Sequence, residues 1–140
     1  MSQCYTQTEV VNELNALKTL VAAGTLHLAK AAFTPASGLT AATMNAIEAN
    51  YDGYAAATLT DALAVYQNGA NSWAFQVPTK QFSYGTPGTP PVTNTIYGMY
   101  VLDTGGNLIW SATLPTSFPM SGPLQALPID LVFSKQANPF

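Results

Sequence analysis

The chemistry open to this chain is narrow: one histidine (His27), one cysteine (Cys4), four lysines, no arginine and seven acids. His27 stands between two leucines in the alternating run Thr25-Leu26-His27-Leu28-Ala29-Lys30, where it is the sole imidazole that could act as a base on a Ser or Thr hydroxyl. Nucleophilic catalysis also requires an orienting group and a presented nucleophile, and no Gly-x-Ser-x-Gly elbow occurs. His27 is therefore expected to be a strand residue with its ring on the sheet's other face. Glycoside hydrolysis would use two facing carboxylates. Of Glu9, Glu13, Glu48, Asp52, Asp61, Asp103 and Asp130, only Glu48 and Asp52 are close enough in sequence to suggest such a pair. Glu9 and Glu13 suit a helix N-terminus. Asp52 and Asp103 suit turns. Asp103-Thr104-Gly105-Gly106-Asn107 offers oxygens to a hard cation but lacks the acidic density of a calcium loop. A lone cysteine permits neither an intramolecular disulfide nor a thiolate zinc site. No catalytic, cofactor-binding or metal-ligating residue is assigned, no cofactor is expected, and the chain is expected not to be an enzyme.

Those few groups sit in a polypeptide of 140 residues that is 8% charged and 48% hydrophobic, with net charge −3. Ordinary globular domains are roughly a quarter charged. Lys18, Lys30, Lys80 and Lys135 are scattered, so the counterion release that drives nucleic-acid binding has no basic patch to drive it. The N-terminal run shows neither a basic nor an apolar signal region, and no segment has the length to cross a bilayer; synthesis in a cytosol is expected, with no nucleic-acid or membrane partner. Scarce charge and abundant aromatics match the composition of subunit-interface cores.

The elements that must position these residues read as one domain over 1–140. Thr6-Gln7-Thr8-Glu9 is a capping box. Val10, Leu14, Leu17 and Val21 share one face, and Gly24 stands where a helix would stop, which predicts an amphipathic helix over 7–23. A mainly β body is expected over 25–134, with a short helix near 40–50 capped by Thr40 and turning Met44 and Ile47 inward. Residues 54–60 are read as a strand, against the alanine-rich helix propensity of 55–64. From 68 onward, Asn68-Gly69, Pro78, 85–91, Gly105-Gly106, Pro115, Pro119, Gly122-Pro123 and Pro128 punctuate short apolar runs. The fold class expected is α+β: an N-terminal amphipathic helix with a mostly antiparallel β-sandwich or barrel-like body.

Residues 94–114 form a hairpin pattern around Gly105-Gly106. A two-residue loop there would set Val101 opposite Trp110, Met99 opposite Ala112 and Tyr97 opposite Leu114. The reverse face, with Ile96, Tyr100, Leu102 and Ile109, is also apolar, so the sheet must be packed on both sides or meet a partner. Gly98 leaves a notch that another backbone or ring could enter.

The order Leu26-His27-Leu28, Phe33-Thr34-Pro35, Asp52-Gly53-Tyr54-Ala55 and Asn94-Thr95-Ile96-Tyr97-Gly98-Met99-Tyr100-Val101, with Asp103 and the Gly-Gly turn, resembles small virion-associated structural proteins of tailed bacteriophages. The resemblance covers roughly residues 14–134 as an ordered pattern. It implies a virion protein of the capsid decoration or cement type, or a tail or spike accessory acting as a glycan- or receptor-binding module. Its implied partners are the major capsid protein or other virion proteins and further copies of the chain, and its implied location is the virion. Trp73, Tyr84, Tyr100, Phe118 and Phe140 are the aromatic candidates for interface anchors or sugar platforms.

Overall fold

A computed structural model describes residues 6–136. In chain order the elements are α1 (Gln7–Ala22), β1 (Thr25–Ala29), α2 (Ala41–Asn45), β2 (Ala57–Thr58), β3 (Tyr66–Gly69), β4 (Ser72–Ser83), β5 (Asn94–Leu102), β6 (Leu108–Met120) and β7 (Ala126–Gln136). Two antiparallel sheets form the body, one ordered β2-β1-β5-β6 and the other β3-β4-β7. This is the α+β, sandwich-like architecture expected from the sequence.

The helix begins as the capping box requires. Glu9 N donates to Thr6 Oγ1 at 3.2 Å, and Thr6 N donates to Glu9 Oε2 at 3.2 Å. Val10, Leu14 and Val21 are buried in the main core, and α1 packs against β4 and β7. Of the two homes open to its apolar stripe, the protein's own sheet or a neighbouring subunit, the first is the one occupied. Gly24 follows the C-cap Ala23, but its glycine has a different cause from a left-handed helix stop. A β-carbon there would lie 2.2 Å from the Leu102 carbonyl oxygen, so close backbone approach excludes a side chain.

The hairpin register holds near the turn: Val101 pairs with Trp110 and Met99 with Ala112. The loop is three residues, not two. Gly106 N donates to Asp103 O, Asp103 N donates to Asn107 O, and Gly106 takes φ +80°, the pattern of a tight turn closed by a left-handed glycine. Tyr97 does not meet Leu114, because the ladder jumps from Gly98↔Thr113 to Ile96↔Phe118 and leaves 114–117 as a bulge.

Both faces of β5 are covered within the chain. Ile96, Met99 and Val101 join the main core; Tyr100 and Leu102 join a second cluster with Ala29 and Met44, flanked by Phe33, Leu39, Ile47 and Leu108. The notch at Gly98 is filled by the Phe33 ring, whose Cε1 would stand 2.6 Å from a β-carbon there.

Three expectations about local structure are corrected. The helix near 40–50 is only Ala41–Asn45, because residues 47–49 extend along β1: Lys30 N donates to Ile47 O and Ala49 N to Leu28 O. The strand read over 54–60 shrinks to Ala57–Thr58, since Tyr54 turns its hydroxyl onto the edge of β1. Pro78, Pro115, Pro119 and Pro128 do not end strands. Pro78 sits at the register shift between Val77 and Lys80, Pro115 lies in the β6 bulge, and Pro119 and Pro128 lie on edge strands, all places that tolerate a missing N–H.

Gly98→Ala is expected to cost about 1–3 kcal/mol by overpacking. Phe33→Ala in the same chain should recover part of that loss, and a denaturant-melting double-mutant cycle reads the coupling.

Candidate functional site

His27 lies at the centre of a polar cluster built on β1. Thr25 and His27 are two apart on β1 and share a face, opposite Leu102 and Tyr100 of β5. The imidazole stacks on the Tyr100 ring with centroids 4.9 Å apart and planes 14° apart. Its Nδ1 pairs with Glu48 Oε2, and its Nε2 is 2.7 Å from Thr25 Oγ1. A carboxylate only accepts, so neutral His27 carries its proton on Nδ1 and accepts from the Thr25 hydroxyl at Nε2. Glu48 reaches this place because residues 47–49 run along β1, with Glu48 bridged to Ala29. The same Oε2 accepts from the Tyr54 hydroxyl at 2.9 Å, and that hydroxyl accepts from Leu28 N at 3.1 Å.

Hydroxyl, imidazole and carboxylate in line match the order of groups in a nucleophilic triad. Thr25 is a strand residue paired on both sides, with Thr58 of β2 and Leu102 of β5. The open grooves lie elsewhere: one of about 280 Å³ is lined by Pro35, Leu39, Leu108 and Trp110, another of about 330 Å³ by Tyr51, Gly53 and Phe82. What the arrangement does is fasten residues 45–54 to the edge of β1. Burial pushes the Tyr54 and Tyr100 hydroxyls far above the ordinary phenol range, with Glu48 adding to the effect, so both stay protonated hydroxyls. The Tyr100 hydroxyl donates to Asn45 Oδ1 at 3.0 Å, which fixes the end of α2 to the sheet.

A second polar hub is Asp52. Its Oδ2 accepts from Gly88 N at 2.8 Å, Val92 N at 2.9 Å and the Tyr84 hydroxyl at 3.0 Å. The backbone around it is tied to the same loop, with Asp52 N donating to Val92 O and Gly85 N to Asp52 O. Gly53 is at φ +87° with its Cα packed against Gly85, so Asp52-Gly53 and the 85–92 loop form one unit. The amides of Gly88 and Val92, in that order, hold the Asp52 carboxyl below the usual carboxylate range.

Glu48 and Asp52, the one sequence-close acid pair, thus serve separate partners. The Asp103 carboxylate accepts from the amides of Gly105 and Asn107, each at 2.9 Å, as a turn-closing aspartate. Every one of the seven acids has an intramolecular partner: Glu9 the Thr6 amide, Glu13 Lys135, Asp61 Lys80, and Asp130 Thr79, besides the three just described. Among the described residues, no group of three His, Cys, Asp or Glu is placed to hold a metal ion.

The aromatic candidates fare unevenly. Trp73 and Tyr84 are buried in the main core and Tyr100 is fully buried in the second, so the reading of these three as surface anchors is corrected. The turn-rich flanks of Trp73 and Tyr84 and the second apolar hairpin face that carries Tyr100 suggested a contact surface, but packing within the chain takes the rings inside; Tyr84 also stacks on Tyr51 at 6.0 Å, whose hydroxyl burial pushes up to about 12. Phe118 is half-buried against the core opposite Ile96. Phe140 lies outside the described residues. Sequence reasoning missed Tyr54 and Thr25 as members of the polar cluster. The i, i+2 spacing of Thr25 and His27 on one strand face was the available signal.

Comparison with protein-family models, with curated proteins and with solved structures finds no match to this chain.

Two outcomes are expected from the clamps. Glu48→Ala should cost about 1–3 kcal/mol, because it strips the partner from His27 and Tyr54 in a half-buried setting. A folded-state carboxyl held low contributes stability above about pH 4 and loses it as pH falls through its lowered value. Asp52→Asn should therefore flatten the acid limb of a stability-against-pH curve relative to the wild type, and lower stability at neutral pH.

Proposed function

We propose that this chain is a non-enzymatic structural protein of a tailed-bacteriophage virion, attached to the capsid as a decoration or cement protein. Its partners are then the major capsid protein and further copies of itself. The observation that supports an assembly role is the outer face of the second sheet. Tyr66 pairs with Ala74 and Ala74 with Ser134, while Gln76 pairs with Val132, so these residues share one face. Along β7 that face exposes Pro128, Asp130, Val132, Ser134 and Gln136. Leu63, joined to Gln76 by its amide, is 51% exposed; Tyr66 is 41% and Val132 53% exposed. The first sheet has its outer face covered by residues 33–47, whereas among the described residues this one exposes Leu63, Tyr66 and Val132 beside a buried Ala74 and is nearly neutral and partly apolar.

The particle itself is supplied by the ordered sequence pattern over roughly 14–134. Attachment would work by burial, at about 25 cal/mol per Å² gross, less the cost of association. Repetition on a lattice offsets that cost. The glycan-binding alternative has less support, since Trp73, Tyr84 and Tyr100, three of its aromatic platforms, are buried.

Quantitative mass spectrometry of purified particles tests the role. A copy number on the scale of the capsid lattice supports decoration, a few copies per particle indicate a tail part, and absence from particles overturns the reading. Exposed neutral contacts also predict retention on particles that changes little between low and high salt. Leu63→Ser with Tyr66→Ser should leave stability within about 1 kcal/mol, as exposed substitutions do, while lowering retention in a particle pull-down.

A further inference from the structure

The four sheet edges of this fold are not equally protected. A sheet edge presents unpaired N–H and C=O groups, and proteins blunt it with short strands, bulges or prolines. The β2 edge is two residues long. The β3 edge is four residues long and carries a register shift between Gln67 and Gly69. The β6 edge contains the 114–117 bulge with Pro115, and Pro119 beyond it. The β7 edge differs from all three. It is 11 residues long, alternates regularly between buried and exposed, pairs among the described residues only with β4, and after Pro128 has no proline to its end.

We propose that the outer edge of β7 is a self-pairing edge: two copies of the chain align their β7 strands antiparallel about a two-fold axis at Val132, merging their second sheets into one. This deepens the assembly reading above and rests on it for a biological role. The occupant is a second copy because the strand is complementary to itself in that register. A two-fold contact places each residue against its mirror position. With the axis at Val132, the most exposed large apolar residue of the strand meets its own counterpart. Asp130 then faces Ser134 of the second copy, Leu131 faces Phe133, and Ile129 faces Lys135, so no like charges oppose one another. An axis two residues earlier would set Asp130 against Asp130, which that rule disfavours. The contact supplies backbone hydrogen bonds from the edge and an apolar pair at its centre. Strand-edge pairing alone is smaller than the roughly 1,000 Å² of a stable interface, so the dimer forms at high concentration and is reinforced where copies are held side by side.

Cysteine scanning tests the register. In a Cys4→Ser background, Val132→Cys and Ser134→Cys are each treated with a short bis-thiol cross-linker at increasing concentration of the full chain, with circular dichroism confirming the fold. The two positions 132 coincide across the axis, whereas the two positions 134 are offset along the strands by about 13 Å. Cross-linked dimer should form at least about ten-fold faster through 132 than through 134, and Val132→Lys, which sets like charges together at the axis, should abolish concentration-dependent association of the otherwise unmodified chain. Equal cross-linking at both positions, faster cross-linking at 134, or association that survives Val132→Lys overturns the proposal. Particle mass spectrometry separates it from the wider reading: a chain abundant in particles without the 132 cross-link sinks the β7 edge alone. A chain that cross-links at 132 but is absent from particles sinks the virion role alone.

Discussion

The structure turns on one constraint: β5 is apolar on both of its faces and lies inside its sheet, between β1 and β6. A strand of this kind cannot sit at a surface, so the first sheet needs two covers. The second sheet and α1 supply one, through Val10, Leu14, Phe75, Val77, Leu131 and Phe133 around Met99 and Val101. The stretch from Phe33 to Ile47 supplies the other, through Phe33, Leu39 and Met44 over Tyr100 and Leu102. Gly98 and Gly24 follow from the same demand: at each, a β-carbon would strike a neighbour that the covers or the strands bring close. Deleting the side chain at those positions is what lets the layers approach to packing distance.

The irregular segments beside the first sheet leave backbone amides that helix or ladder bonds do not satisfy. Side chains make up the deficit. Tyr54 caps the Leu28 amide, Asn94 Oδ1 accepts from Asn50 N at 2.7 Å, and Asp52 gathers the amides of Gly88 and Val92. This explains where the few polar groups of a charge-poor chain have gone. The His27–Glu48 pair is chemically the most suggestive feature of the molecule; Thr25 engages the other imidazole nitrogen, and the Glu48 oxygen that pairs with His27 also accepts from Tyr54. These groups hold Glu48 and Tyr54 against β1. Which groups surround the imidazole is decided by long-range packing, and sequence does not show it.

Much of the frame was readable from local signals, because those signals depend on neighbours along the chain. The capping box at Thr6–Glu9, the stripe from Val10 to Val21 and the Val101–Trp110 register follow from short-range geometry. The two-sided burial of the hairpin was also readable, since apolar residues at both parities leave no solvent face. What covers the second face was not, because it is decided by Glu48 reaching Ala29 across some twenty residues of irregular chain. Prolines misled for a related reason. Pro78 reads as a break until β4 is known to bulge there, and Pro128 until β7 is known to be an edge. Trp73 and Tyr84 looked exposed beside turns, and Tyr100 stood on a hairpin face open to a partner; layer packing, a long-range outcome, buried them.

The asymmetry between the sheets links fold to assembly. Covering the first sheet uses a large share of the chain's irregular segments, while among the described residues the second sheet keeps much of its outer face and one regular edge uncovered. A face of this kind, carrying Tyr66, Gln76, Val132 and Ser134, exerts little long-range pull, so encounter with a partner is not steered by charge. The same neutrality has an advantage in the role proposed. Subunits crowded on a particle surface repel one another in proportion to their charge, and a chain of net charge −3 repels weakly. Short-range burial repeated many times then suffices where a single contact would not, and that balance favours a scarcity of charged residues over the charged surface of an ordinary free-standing domain.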